Sequence, residues 1–421
     1  MRWQSIVIGF VAGWLSAILL AATPYMGDIA RVIGPGTLAQ LQTPWGLRAA
    51  FAPFWEAWQV VDAVFYQRAN IDHTRMIKGA IGGMLATLDD KYTFYQDPEK
   101  AQQTQDDMQG RTAGIGVYVR MSEGTVQIWK LIPAAPAAGA GIQVNDTILA
   151  IDGISIAQLL AEKPSDEAMT AISGLIRGAA GTTVVLRIER GDAPAFDVTI
   201  TRADIVIPSV EWRMLSADVA YIRISEFKGN TPEILASGMR ELAAQQPRAY
   251  VLDVRGNPGG LLDSAQAVLG LFYTGTALWE ERAAGVQREL PTIAPSDAIA
   301  HPRVPVVVLV DGGTASASEV VAGALRDRYP ATTVVGTQSF GKGIVQNIYP
   351  LTNGGTVRLT IGQWLTPDKT AIHGVGITPD MLVPDDESAQ ANAPCVGDRQ
   401  PADGNTLCRD PQLVTALGLL D

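Results

Sequence analysis

The sequence predicts a layered α/β fold, preceded by a small mostly-β unit and, before that, a helical region. Three observations carry this expectation. The runs 219–224, 249–254 and 306–310 are apolar and rich in β-branched residues, as strands buried on both faces are, and helical spacing recurs between and after them. From Thr112 to Ile200 the apolar residues follow a period of two. From Leu47 to Gln109 they recur every three or four residues.

Bulk properties bound the function before any motif is read. A chain of 421 residues has room for two or three domains, each with its own core. Charged residues make up 18% and apolar ones 47%, an ordinary globular balance. The net charge of −11 argues against a nucleic-acid partner and serves solubility instead.

At the N-terminus, Arg2 precedes an uncharged apolar segment from about residue 6 to 22, ended by Pro24. Its length falls between a secretory h-region and a full membrane span, so residues 1–24 read either as a cleaved signal peptide or as a retained inner-membrane anchor. Both readings export the remainder to the periplasmic or extracytoplasmic face. Residues 25–110 form the helical region. Phe51, Phe54, Trp55, Trp58, Val61, Val64 and Phe65 mark a face expected to be buried, and Asp72 caps a second helix that buries Met76, Ile77, Ile81, Met84, Leu85 and Leu88.

Residues 111–203 form the mostly-β unit, with a hairpin over 114–119 and 125–128, a helix near 165–176, and strands at 183–188 and 196–200. In Gly114-Ile115-Gly116-Val117 two glycines can turn successive N–H groups toward one point, beside a strand edge to which an extended peptide can add. The layered core occupies 204–385. It opens with the strand at 219–224 and a helix started by Thr231-Pro232-Glu233, and continues with the strand at 249–254 and a helix over 262–271.

The chemistry concentrates between Pro305 and Gln346. The strand 306–310 ends in Asp311-Gly312-Gly313, and the helix after it runs to Arg328, so the hydroxyl of Ser316 stands beside the free N–H groups of a helix start. Ser316 and Glu319 also spell a capping box, which structure alone can require. Farther on, Lys342 lies between Gly341 and Gly343, with Gln346 beyond. The octet from Gly336 nearly spells a phosphate-binding loop. However, Gly343 stands where Ser or Thr would hold magnesium, and residues 344–348 alternate as a strand where such a loop opens a helix. In the turn from Arg255 to Gly260, bare backbone can approach a developing oxyanion. His73, His301 and His373 sit in segments with no hydrolase signature, and no Gly-x-Ser-x-Gly elbow frames these serines, which disfavours a histidine-based triad; the histidines also lack metal-ligand spacing, so no metal is expected, nor a cofactor.

The run Thr314-Ala315-Ser316-Ala317-Ser318-Glu319, the run Phe340-Gly341-Lys342-Gly343 with Val345-Gln346, and the segment 253–260 together resemble the carboxyl-terminal processing peptidases, the Ser/Lys family that includes the tail-specific proteases. The resemblance implies a crotonase-like (ClpP/crotonase-type) core, with a PDZ domain inserted at 111–203 whose carboxylate-binding loop is Gly114, Ile115, Gly116 and Val117. It also implies that Ser316 is the nucleophile, Lys342 the general base, and Gln346 the residue that orients the lysine. The N–H groups of Gly259 and Ala317 would form the oxyanion hole. One departure is visible. The interval from serine to lysine is one residue longer than the family's pattern, and the extra residue falls in the loop around Tyr329-Pro330-Ala331.

The function so implied is a serine endopeptidase that recognises protein or peptide C-termini through its PDZ-like domain and cuts near the carboxyl end through an acyl-enzyme, with a homo-oligomer left open. The alternative is an inactive envelope adaptor that binds the same chain ends. The segment 386–421 reads as a polar tail. Its Cys395 and Cys408, in an exported chain, are expected to close a disulfide worth on the order of 3 kcal/mol, two unpaired thiols being the other reading.

Overall fold

The computed structural model describes residue 47 and residues 49–421 apart from 123, 133, 207, 216–217, 295–300, 387–391 and 398–406. The segment 1–24, read above as signal or anchor, lies outside the described residues. Among those described, no helix is long and apolar enough to cross a membrane. The chain divides into two compact units, residues 1–79 and residues 80–421.

In the first unit, helix Ala52–Val64 carries Pro53 in its opening turn, where a missing N–H costs nothing. Asp72 caps the next helix, His73–Ala86, as expected, its Oδ1 accepting from Arg75 N at 3.0 Å. The expected burial fails. No residue of helix Ala52–Val64 is buried, with Trp55 54% and Val64 73% exposed, and Leu85 alone is buried in the following helix. Periodicity identifies an apolar face but not the surface that covers it. Here the rings of that face meet one another, Phe54 on Trp55 at 5.0 Å between centroids and Trp58 stacked on His73 at 5.6 Å.

The second unit opens with a strand that helical spacing did not suggest, Phe94–Gln96, followed by helix Pro98–Met108. Next comes an antiparallel sheet in which Val117–Ser122, Thr125–Leu131, Thr147–Ile151, Thr183–Glu189 and Phe196–Thr201 lie in that order. Its alternating inward residues, among them Val126, Ile128, Ile148, Val184, Leu186 and Ile188, bury against helix Ser165–Ile176 through Ile172 and Ile176. The first strand, Val117–Ser122, is left at the edge.

The larger core is built on a six-stranded sheet ordered Val210–Met214, Val219–Ile224, Ala249–Asp253, Val306–Val310, Thr332–Gly336 and Met381–Leu382, parallel beyond its first pair. Every residue of Val306–Val310 is buried, as its unbroken apolar run requires. Even-numbered residues such as Ile222, Leu252 and Val308 face helices Thr231–Ala243, Leu262–Gly270 and Ala317–Arg328. Beyond these helices lies a second, antiparallel sheet of Phe94–Gln96, Thr356–Leu365, Thr276–Arg282 and Val286–Pro291, with Ile344–Pro350 also pairing on Thr356–Leu365.

Odd-numbered residues of the parallel sheet, Tyr221, Val251, Val307, Leu309 and Val335, face the chain's last segment. This corrects the reading of that segment as a polar tail. Strands Asn392–Pro394 and Leu407–Arg409 pair, Cys395 and Cys408 are bonded, and helix Pro411–Gly418 lays Leu413 and Ala416 on the sheet. Eight helical residues among Pro, Gly and Asp are too few for periodicity to register.

Candidate active site

The parallel sheet delivers the end of strand Val306–Val310 to the turn that precedes helix Ala317–Arg328. Asp311 braces this turn, its Oδ1 accepting from Gly313 N (2.9 Å) and Thr314 N (3.0 Å), and from Gly256 N (2.8 Å) of the neighbouring loop. Ser316 ends it half-buried at φ +56° and ψ −116°, a conformation that residues with a Cβ seldom adopt and that surrounding bonds must hold.

Glu319 supplies those bonds. Fully buried in the first turn of the helix, its Oε2 accepts from Ser316 N (2.8 Å) and Lys342 N (2.9 Å), and its Oε1 from Ser339 Oγ (2.6 Å) and Gly341 N (2.6 Å). The amides of Ser316 and Lys342 thus lie within two hydrogen-bond lengths of each other. Phe340 N adds a direct bond to Thr314 O (2.9 Å). Sequence reading treated Glu319 as a helix cap, and its role between the two loops was missed because the spacing from Ser316 was its sole signal.

The lysine loop is backed by the segment 372–377. At Gly343 a Cβ would stand 2.3 Å from His373 N, so only glycine lets the two backbones touch. Lys342 Nζ lies over the ring of Tyr92, 5.1 Å from its centroid, and among the described residues no hydrogen bond joins it to Ser316 Oγ. Burial holds the lysine's pKa below the usual range, and the charge of Arg358 lowers it further. Arg358 is itself lowered by burial, and its Nε and Nη2 have no hydrogen-bond partner among the described residues. Gln346 directs its Nε2 to Tyr92 O (2.6 Å). Tyr92, which sequence reading gave no role at this site, therefore meets both the lysine and the glutamine.

The glycine loop closes on the other side of Ser316. Gly259 adopts φ +103°, and a Cβ there would stand 2.8 Å from Ala315 O, 2.8 Å from Ser316 Cβ and 3.0 Å from Ala317 N. Asn257 O accepts from Ala315 N (2.9 Å) and Ser318 Oγ (3.0 Å), which locks the loop to the serine turn. The N–H of Gly259 donates to Asn257 Oδ1 (2.9 Å), whereas that of Ala317 is among the four that a helix start leaves without an intrahelical acceptor.

The four residues Gly114 to Val117 sit apart from this cluster, between the strand pair Arg111–Gly114 with Ala203–Val206 and the edge strand Val117–Ser122. Gly114, Ile115, Gly116 and Val117 line a cleft of about 190 Å³ between the edge strand and helix Ser165–Ile176, which contributes Ser173 and Ile176.

Comparison with known proteins agrees with this layout. Residues 218–383 match the model of peptidase family S41, residues 113–200 that of the PDZ domain, and residues 39–100 that of the activating protease CtpB N-terminal domain. A carboxy-terminal-processing protease of Bartonella bacilliformis is 37% identical over 317 residues, covering 74% of this chain and 70% of that protein. Carboxy-terminal processing protease CtpB of Bacillus subtilis is 36% identical over 335 residues, covering 78% of this chain and 66% of that protein. A solved S41 protease chain from Bacteroides fragilis is alike in fold, with a TM-score of 0.50 and 18% identity over 79% of this chain and 90% of that one.

Proposed function

We propose, from the premise that this chain belongs to peptidase family S41 and is a carboxy-terminal processing serine protease with a PDZ domain, that Ser316 is its nucleophile and Lys342 its base. The observation that carries the assignment is the single Glu319 oxygen shared by the amides of the two residues. Neutral Lys342 takes the proton of Ser316 as Oγ attacks the scissile carbonyl, then returns it to the leaving amine. Water cleaves the resulting ester with the lysine again as base. Burial and Arg358 both favour the neutral amine this requires.

Charge developing on the carbonyl oxygen falls beside Ala317 N–H and the Gly259 backbone, the Gly259 N–H serving once it exchanges Asn257 Oδ1 for substrate. Lys342 rotates off Tyr92 to reach Ser316, and Gln346, held by the Tyr92 carbonyl, orients it. Substrates are protein chains whose carboxyl ends add to the edge strand beside Gly114–Val117. The two-sheet core is of the crotonase type, with boundaries near 111–203 for the PDZ domain and 204–385 for the peptidase. The Cys395–Cys408 disulfide supports an oxidising compartment outside the cytoplasm.

The test is intact-mass analysis after reaction with a serine-directed acylating probe, run beside digestion of an unfolded substrate with a free or amidated C-terminus. The expected result is one adduct on Ser316, none on Ser316→Ala or Lys342→Met, and faster cutting of the free acid. Undiminished cleavage by Ser316→Ala overturns the assignment.

A further inference from the structure

Residues 384–421 lie beyond the stretch matched to the peptidase family, yet they supply two of the groups that hold Arg255, four positions ahead of Gly259. We propose that Asp410 is a positioning residue for the oxyanion loop: with Asp253 it closes a two-carboxylate clamp on Arg255, and the disulfide-tied C-terminal segment is thereby part of the catalytic apparatus. This inference rests on the assignment of Ser316 and the Gly259 loop made above.

The clamp grips both edges of one planar guanidinium. From the strand side, Asp253 accepts from Arg255 Nε (3.0 Å) and Nη2 (2.6 Å). From the tail side, Asp410 accepts from Nη1 (2.9 Å) and Nη2 (3.0 Å), and Gln412 Oε1 accepts from Nη1 at 3.1 Å. All are buried, with Arg255 9%, Asp253 1%, and Asp410 and Gln412 0% exposed. Paired forks of this kind fix the plane of the guanidinium as well as its position. Asp253 is itself held, by the Tyr221 hydroxyl (2.8 Å) and by Arg255 N (3.0 Å).

What Arg255 fixes is short and leads directly to the serine. The next residue, Gly256, is bonded to Asp311 of the serine turn, and Asn257 to Ala315 and Ser318. On its far side Asp410 caps helix Pro411–Gly418, accepting from Leu413 N at 2.9 Å, and follows Cys408 by two residues. Two further arginines, from strands Val210–Met214 and Val219–Ile224, meet the segment. Arg213 donates to Cys395 O, and Gly397 is so close to Arg223 that a Cβ there would overlap its Nη1. An unbroken chain of bonds thus runs from the disulfide through Asp410 and Arg255 to the oxyanion loop.

The experiment compares the full chain with Asp410→Asn, and with Cys395→Ser combined with Cys408→Ser, which leaves every clamp group in place but unties its anchor. The active fraction is titrated with the acylating probe, so that rates are expressed per competent site. Affinity for a peptide aldehyde, whose adduct places an oxyanion in the hole, is measured beside affinity for the corresponding unreactive peptide. Asp410→Asn is expected to lower kcat per site and aldehyde affinity together by about tenfold or more, since small displacements of reacting groups are costly, with KM and peptide affinity within about twofold. The double serine variant is expected to show the same pattern at a smaller factor.

A merely structural role would lower melting temperature and active fraction but leave kcat per site and the aldehyde-to-peptide affinity ratio unchanged, and that result overturns the proposal. If Asp410→Asn does not fold, an unchanged kcat per site in the double serine variant overturns it equally. Failure of the underlying assignment is distinguishable, because the wild-type chain would then carry no adduct on Ser316.

Discussion

Exchanging Glu319 for glutamine isolates the carboxylate that joins the serine turn to the lysine loop. The amide nitrogen must replace one carboxylate oxygen. In the Oε2 position it would face the N–H groups of both Ser316 and Lys342. In the Oε1 position it would face Gly341 N and the hydroxyl of Ser339, and a hydroxyl can turn to accept. The second orientation is cheaper and strands one N–H, at about 1–3 kcal/mol, while the two retained bonds lose their charge assistance at about 1 kcal/mol each. The total of about 3–5 kcal/mol is a large part of the ~5–15 kcal/mol that holds a typical domain. Urea unfolding followed by tryptophan fluorescence should show it as a lower midpoint at unchanged slope, and acylation of Ser316 below the transition should slow at least tenfold. A loss under about 1 kcal/mol with wild-type acylation would refute the view that Glu319 holds the nucleophile against the lysine loop.

Two further outcomes follow from the same site. Gly259→Ala places a methyl group 2.8 Å from both Ala315 O and Ser316 Cβ at a φ that alanine disfavours, so acylation should be lost while peptide binding at the PDZ cleft is kept, as isothermal titration and probe labelling can establish together. The pH dependence of acylation should follow the lysine: the rate climbs as Lys342 loses its proton and levels above its lowered pKa. Because Arg358 disfavours the ammonium, Arg358→Gln raises that pKa and moves the rising limb to higher pH. A limb that stays in place in a pH–rate profile removes Arg358 from this role.

Legibility in the sequence differed from element to element for physical reasons. The strands at Val219–Ile224 and Val306–Val310 were readable because a strand buried on both faces must be apolar throughout. The PDZ strands were readable because a half-buried strand must alternate. The aromatic helix Ala52–Val64 was recognised as a helix and misjudged as buried, since spacing records a face and not its cover. Helix Pro411–Gly418 was hidden by its shortness, although with Ala393 and Val396 it packs on one face of the parallel sheet.

The sequence by itself determined the local chemistry: a serine at a strand-to-helix turn, a lysine between glycines, and a glycine turn with no side chains to obstruct an oxyanion. These depend on neighbours a few residues away, which order along the chain preserves. Tertiary structure alone decided that the Glu319 oxygen capping Ser316 also receives the amide of Lys342, that Tyr92 lies beneath the lysine, and that Asp410 reaches back across the sheet to Arg255. Those contacts join residues separated by tens to hundreds of positions, and only the burial of charged and polar groups, each requiring a partner, selects them.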